Sequence, residues 1–292
     1  MKAVLGALPT YSMSCFLLPQ EVIRKISSTM ANFWWNSNSN KAKSIHWKAW
    51  DKLTLPKKLG GLGFHDLNTF NRALITKQLW RLLTHPNLLV SKILKAKYFP
   101  KEDFFTAKKK SNSSWLWACW LKQRDSFKSG IRYSIRDGKR VKIWDHPWVP
   151  NLKGKKLQHR NTSGSRIVWA KDLMEDSGRR WNRALIEENF TEEEAKAIME
   201  ITGLDPHQKD RLVWDWSSTG KFSVASSYST LILRKFLEQD SPEASQDQSA
   251  LRKARMRTWR MKIKPKVKHF LWKGSICSSI AIEQNSFGSL HR

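Results

Sequence analysis

Three glycines within four residues, Gly60, Gly61 and Gly63, stand directly ahead of an uninterrupted helical pattern. No other stretch constrains the chain as much. From Leu55 to Leu83 it reads LPKKLGGLGFHDLNTFNRALITKQLWRLL. Glycines let the backbone reach positive φ or pass close to another surface. Asp66 or Asn68 can serve as N-cap of the helix. Leu67, Phe70, Ala73 and Leu74 recur at helical spacing, and Leu79, Trp80 and Leu83 continue an apolar side. The plain reading is a turn leading into a packed helix.

Charge bounds the partners. Lys and Arg number 53 against 25 Asp and Glu, for a net +28 and an isoelectric point near 10.2. Such a surplus points to polyanions, nucleic acid first and an anionic membrane surface second. Its distribution is uneven: residues 1–110 carry +14, 111–160 carry +9, 161–250 carry −5 and 251–292 carry +10. A basic front, an acidic middle and a basic tail suggest separate units. No run of eighteen apolar residues exists, so no transmembrane helix is expected. The first nineteen residues loosely imitate a signal peptide, but Pro9, Thr10, Tyr11 and Ser12 interrupt the apolar part. An intracellular protein, nuclear or cytoplasmic and not secreted, is expected. Cys15, Cys119 and Cys277 are isolated, so neither a disulfide framework nor a Cys-x-x-Cys metal site is written here. Sequons at Asn112, Asn161 and Asn189 would matter only in a secreted chain.

The expected fold class is mainly α with two small β-hairpins, an α+β chain. Pro19 opens a helix from Gln20 to about Asn36, with Val22, Ile23, Ile26, Met30, Phe33 and Trp34 as its apolar side. Pro86 begins another, packed through Leu88, Leu89, Ile93 and Leu94. Trp115, Trp117 and Trp120 come after the basic run Lys108 to Lys110. An indole stacks on nucleobases, although burial is the commoner use of so large an apolar ring. Ile131, Tyr133 and Ile135 alternate ahead of Gly138, with Val141 and Ile143 beyond it. A three-residue loop with Gly138 left-handed pairs Tyr133 with Val141 and Ile131 with Ile143 and keeps one apolar face. Residues 151–165 read as a polar linker. Thr191 and Glu194 form a capping box, and Gly203 stops that helix. Leu212–Trp216 and Lys221–Val224 read as a second hairpin around Ser217–Gly220, after which Ser223 caps a helix to about Leu237. The string Ser218-Thr219-Gly220-Lys221 is no phosphate loop, because Asp215 stands where the first glycine is required.

An ordered series of segments resembles plant LINE-type (non-LTR) retrotransposon reverse transcriptases, downstream of the polymerase active site. The segments are LPTYSMSCFLLP (Leu8–Pro19), ANFWWN (Ala31–Asn36), IHWKAWDKL (Ile45–Leu53), LPKKLGGLGF (Leu55–Phe64), FNRALITKQLWRLL (Phe70–Leu83) and AKYFP (Ala96–Pro100). IRDGKRVKIWDHPWVP (Ile135–Pro150), RLVWDWSSTGKFSVASSY (Arg211–Tyr228) and KIKPKVKHFLWK (Lys262–Lys273) continue the order. The resemblance implies a helical thumb-like domain at 1–110, while composition and charge mark a Trp-rich segment with a β-hairpin at 111–160 and an acidic α+β segment at 161–238. A disordered linker at 239–250 and a truncated start of the family's zinc-binding domain at 251–292 complete the expectation. A thumb grips primer–template through backbone phosphates, which needs cations on a rigid surface. The candidate contacts are Lys57 and Lys58, with Arg260, Lys262, Lys264, Lys266 and Lys268 in the tail.

Chemistry is harder to find. Polymerases hold two divalent ions on clustered aspartates, and the chain contains no adjacent Asp pair. After Cys277 only His291 remains as a further zinc ligand of the expected type, short of a four-ligand site. The expectation is therefore no catalytic residue, no metal, no cofactor and no small-molecule substrate. The expected function is a non-catalytic polyprotein fragment that binds RNA, DNA or their hybrid without sequence preference. The rivals are a polymerase or ribonuclease H piece, and a decayed product with no function.

Overall fold

The computed structural model describes residues 10–35, 46, 48–150, 152, 157, 167–239 and 261. Of the expected linker at 239–250, Gln239 is helical and the rest lies outside the described residues, as do the tail contacts Arg260, Lys262, Lys264, Lys266 and Lys268 and the residues Cys277 and His291. Among the described residues helices dominate, joined by one two-stranded antiparallel sheet. The mainly α, α+β class is as expected. The chain divides into two compact units, one built from residues up to Ile75 and from Tyr228 onward, the other from Thr76–Ser227.

The first unit contains helices α1 (Thr10–Cys15), α2 (Gln20–Trp35) and α3 (Trp50–Thr54), then a 3-10 turn at Lys57–Leu59. The first half of α4 (Leu67–Thr84) and most of α9 (Val224–Gln239) complete it. Leu53, Leu62 and Phe64 form one buried cluster with Trp34, Trp35 and Trp50 around it. Ile23, Met30 and Leu67 form a second with Leu18 and Ile26. Helix α2 starts where the proline signal placed it, and its described residues run to Trp35. Its apolar side is narrower than expected: Val22 and Phe33 are exposed while Ala31 is buried. A 3.6-residue repeat leaves the flanks of a wide stripe at the rim of the contact.

Asp66 resolves the capping alternatives for α4, accepting the Thr69 N–H at 2.7 Å. The helix is sealed on almost every side, with Leu67, Ala73, Leu74, Ile75, Leu79 and Leu82 buried together with Thr69, Asn71 and Thr76. A one-sided stripe is therefore the wrong picture for it. Asn71 explains how a polar residue survives at 1% exposure. It donates to the Met13 and Phe16 carbonyls at 2.6 and 2.8 Å and accepts the Leu18 N–H at 2.8 Å, tying α1 to α4.

The second unit holds the rest of α4, then α5 (Leu89–Tyr98), α6 (Trp115–Lys128), α7 (Arg183–Asn189), α8 (Glu192–Met199) and both strands. Helix α5 packs through Ser91, Leu94 and Tyr98, whereas the expected Leu89 and Ile93 are exposed. The hairpin expectations need correction. Strand β1 (Ile131–Ser134) pairs antiparallel with β2 (Arg211–Trp214), Ile131 opposite Trp214. Val141 and Ile143 instead meet the main chain of Val168 and Ala170. The first strands of the two expected hairpins have thus found each other, because Trp214, fully buried, and Ile131 share an apolar face that local pairing would not supply. Gly138 is left-handed as expected, with φ +64°, and a Cβ there would meet the Lys171 amide. Trp117 and Trp120 are buried and Trp115 is 57% exposed. The capping box of Thr191 and Glu194 is present, and α8 ends before Gly203, whose φ is +80°. Ser223 caps α9 through the Ser226 N–H at 3.0 Å.

Candidate nucleic-acid interface

Lys57 and Lys58 sit on the 3-10 turn ahead of α4, both exposed. Five main-chain bonds clamp this turn: Leu59 and Gly61 to Pro56, Gly60 to Lys57, Leu62 to Leu53, and Gly63 to Leu55, at 2.8–3.2 Å. Gly61 is required by contact, since a Cβ there would overlap the Leu55 carbonyl. Two cations therefore leave the surface from a backbone that has little freedom to withdraw. Cations held this way are suited to phosphates, contacts that position a nucleic acid without reading its bases. The five tail cations expected to act with it lie outside the described residues.

A second basic site lies wholly within the second unit. A cleft of about 540 Å3 carries Lys95, Lys101, Arg140 and Lys142 on its walls, against Glu102 and Asp103, with the Trp169 ring at the edge. Asp103 is engaged: its Oδ2 lies 2.7 Å from His146 Nε2. Nδ1 of that ring accepts the Lys142 N–H at 3.1 Å, which leaves Nε2 as the donor. Burial pushes the Asp103 carboxyl up, but the His146 ring and the amides of Phe105 and Phe104 outweigh it and hold it below its ordinary 3.8. With both nitrogens used, His146 braces the cleft wall. Tyr133 stacks on it at 4.8 Å, and burial, then the charges of Asp103 and Asp210, raise the phenol.

Asp210 is a further carboxylate whose role no sequence signal marks. At 7% exposure it accepts the N–H groups of Arg136 and Gly138 on Oδ1, at 2.7 and 3.0 Å, and of Arg140 on Oδ2 at 3.1 Å. The loop at 136–140 is an anion-binding nest filled by the protein's own carboxylate. This shapes the turn that delivers Arg140 and Lys142 to the cleft. Two smaller clefts differ in charge. One in the first unit balances Arg24 and Lys235 against Asp51 and Asp66, and one beside Gly178 is predominantly acidic. Among the described residues no three His, Cys, Asp or Glu side chains gather in a way that could hold a metal ion. No described helix is long and apolar enough to cross a membrane.

A "putative ribonuclease H protein" of Arabidopsis thaliana is 33% identical over 280 residues, which are 93% of this chain and 43% of that protein. The chain thus spans less than half of that relative's length. An uncharacterized mitochondrial protein of Arabidopsis thaliana is 40% identical over 144 residues, 49% of this chain and 93% of that protein. No family model and no solved structure matches the chain. Because nearly all of the mitochondrial protein aligns at this identity, the chain belongs to the same family of plant proteins.

Proposed function

We propose that the chain is a non-catalytic piece of a plant retrotransposon-derived reverse transcriptase polyprotein, and that it clasps RNA, DNA or their hybrid without sequence preference. The observation that carries the reading is the clamped turn presenting Lys57 and Lys58, in a chain of net charge +28. The similarity to a relative named for ribonuclease H supports an origin in nucleic-acid processing. Contact is phosphate by phosphate, with Arg260, Lys262, Lys264, Lys266 and Lys268 adding to it from the tail. Neutralising roughly four to eight phosphates gives a slope of log K against log salt of about −4 to −7. The test is fluorescence anisotropy with the full chain on RNA, DNA and hybrid of unrelated sequences between low and moderate salt. Similar affinities with that slope support the reading. No affinity at low salt, or a flat salt response, overturns it. Replacing Lys57 and Lys58 together by alanine is expected to flatten the slope by about 2 on duplex DNA.

The relative's name favours a second reading, ribonuclease H activity. Cleavage of the RNA strand of a hybrid by the purified chain would decide for it.

A further inference from the structure

Among the clefts described above, which are lined by described residues, the one walled by Lys95, Lys101, Arg140 and Lys142 combines a cationic excess with an exposed aromatic ring. Trp169 is 38% exposed, and its position is built rather than incidental. Its main chain forms a bridge with Lys142. The Asp172 carboxylate accepts the N–H groups of Val168 and Trp169 at 3.0 and 2.8 Å. Main-chain bonds from Ile143 to Val168 and from Ala170 to Val141 close both sides. The Lys142 ammonium lies 5.9 Å from the Trp169 ring centre. Its pairing with Asp145, at 3.8 Å and exposed, is weak enough to exchange for a phosphate. Lys95, Lys101 and Arg140 form no ion pair among the described residues.

We infer that this cleft seats a single strand, with an unpaired base stacked on Trp169 and the neighbouring phosphates held by Lys142, Arg140, Lys95 and Lys101. The inference rests on the nucleic-acid reading proposed for the whole chain and adds a place and a strand preference to it. A volume of about 540 Å3 is that of a small-ligand site, enough for one or two nucleotides and too small for a duplex. In a duplex the base faces are already stacked on each other. Only an unpaired base offers a π-face to an indole. A wall fixed before binding loses little further freedom on binding, which favours affinity.

The test uses the full chain and a twelve-nucleotide uridine oligomer, with a duplex of the same length as comparison. Trp169→Ala is expected to weaken single-strand binding roughly 5- to 100-fold and duplex binding less than about twofold, while Trp169→Phe retains most of the single-strand affinity. An oligomer carrying 5-iodouracil, photocrosslinked to the unsubstituted chain, should attach at Trp169. That second readout does not depend on how the variants fold. Equal single-strand affinity of Trp169→Ala and the parent, or crosslinks that never fall at 167–171, overturns the seat. If salt-dependent binding persists in that case, the general clasp survives. If the unsubstituted chain binds neither probe, both fail.

Discussion

Alanine in place of Asp210 removes one carboxylate and orphans three main-chain donors at once. A hydrogen bond to a charged group contributes roughly 1.5–3 kcal/mol, and a buried donor left alone costs about 1–3 kcal/mol. The three losses do not simply add. The Gly138 N–H is buried, whereas those of Arg136 and Arg140 are only partly so, and water replaces the carboxylate there. A destabilisation of about 3 kcal/mol is expected for Asp210→Ala. Asp210→Asn keeps an oxygen for Arg136 and Gly138 but turns an NH2 group toward the Arg140 N–H, donor against donor. It should cost about half as much. Amide hydrogen exchange at residues 136–140 reads this locally and avoids assuming that two compact units unfold together. Exchange there should accelerate roughly 100-fold in Asp210→Ala. Unchanged protection, or equal effects of alanine and asparagine, would refute the nest as the element that fixes this loop.

Asn71→Ala should cost about 3 kcal/mol by urea unfolding and release the amides of residues 14–18 to exchange, since three bonds to α1 and its exit are lost. Burial pushes the Tyr228 phenol up to about 12, with the Asp66 charge adding and the Asp66 N–H opposing. The unfolded chain ionises first, so this group's contribution is whole below pH 10 and is lost toward about 12. Tyr228→Phe should lose about 1–2 kcal/mol at neutral pH, through the unpaired Asp66 N–H, and lack that alkaline limb. Asp103 has the opposite sign: its folded value lies below 3.8, so its contribution is whole above that value and is lost as pH falls through the lower one. The stability gap between the parent and Asp103→Asn should be constant near neutral pH and close in acid.

Signals confined to a few residues read true. The cap at Asp66, the box at Thr191 and Glu194 and the start of α2 after Pro19 are each set by neighbours within one turn. Features that depend on residues far apart did not. Nothing local tells Ile131 that Trp214 is its partner, and a lone Asp in DRLVWDW gives no sign that three amides some 70 residues earlier need it. Helix α4 looked one-sided because Asn71, Thr69 and Thr76 are polar, yet all three are buried. Of the candidate site, Lys57 and Lys58 were legible from their place before the glycines. The cleft was not, since its walls come from four separated segments. The one hint was His146 between Asp145 and Pro147, a titratable ring in an aromatic stretch.

The central proposal is that the chain retains a polyanion without lengthening or cutting it. The most direct trial incubates the purified chain with an end-labelled RNA–DNA primer–template, magnesium and nucleotides, and reads mobility and strand length on paired native and denaturing gels. The account predicts a salt-sensitive shift with every strand at its original length. A longer or shorter labelled strand, in proportion to the chain added, would contradict it.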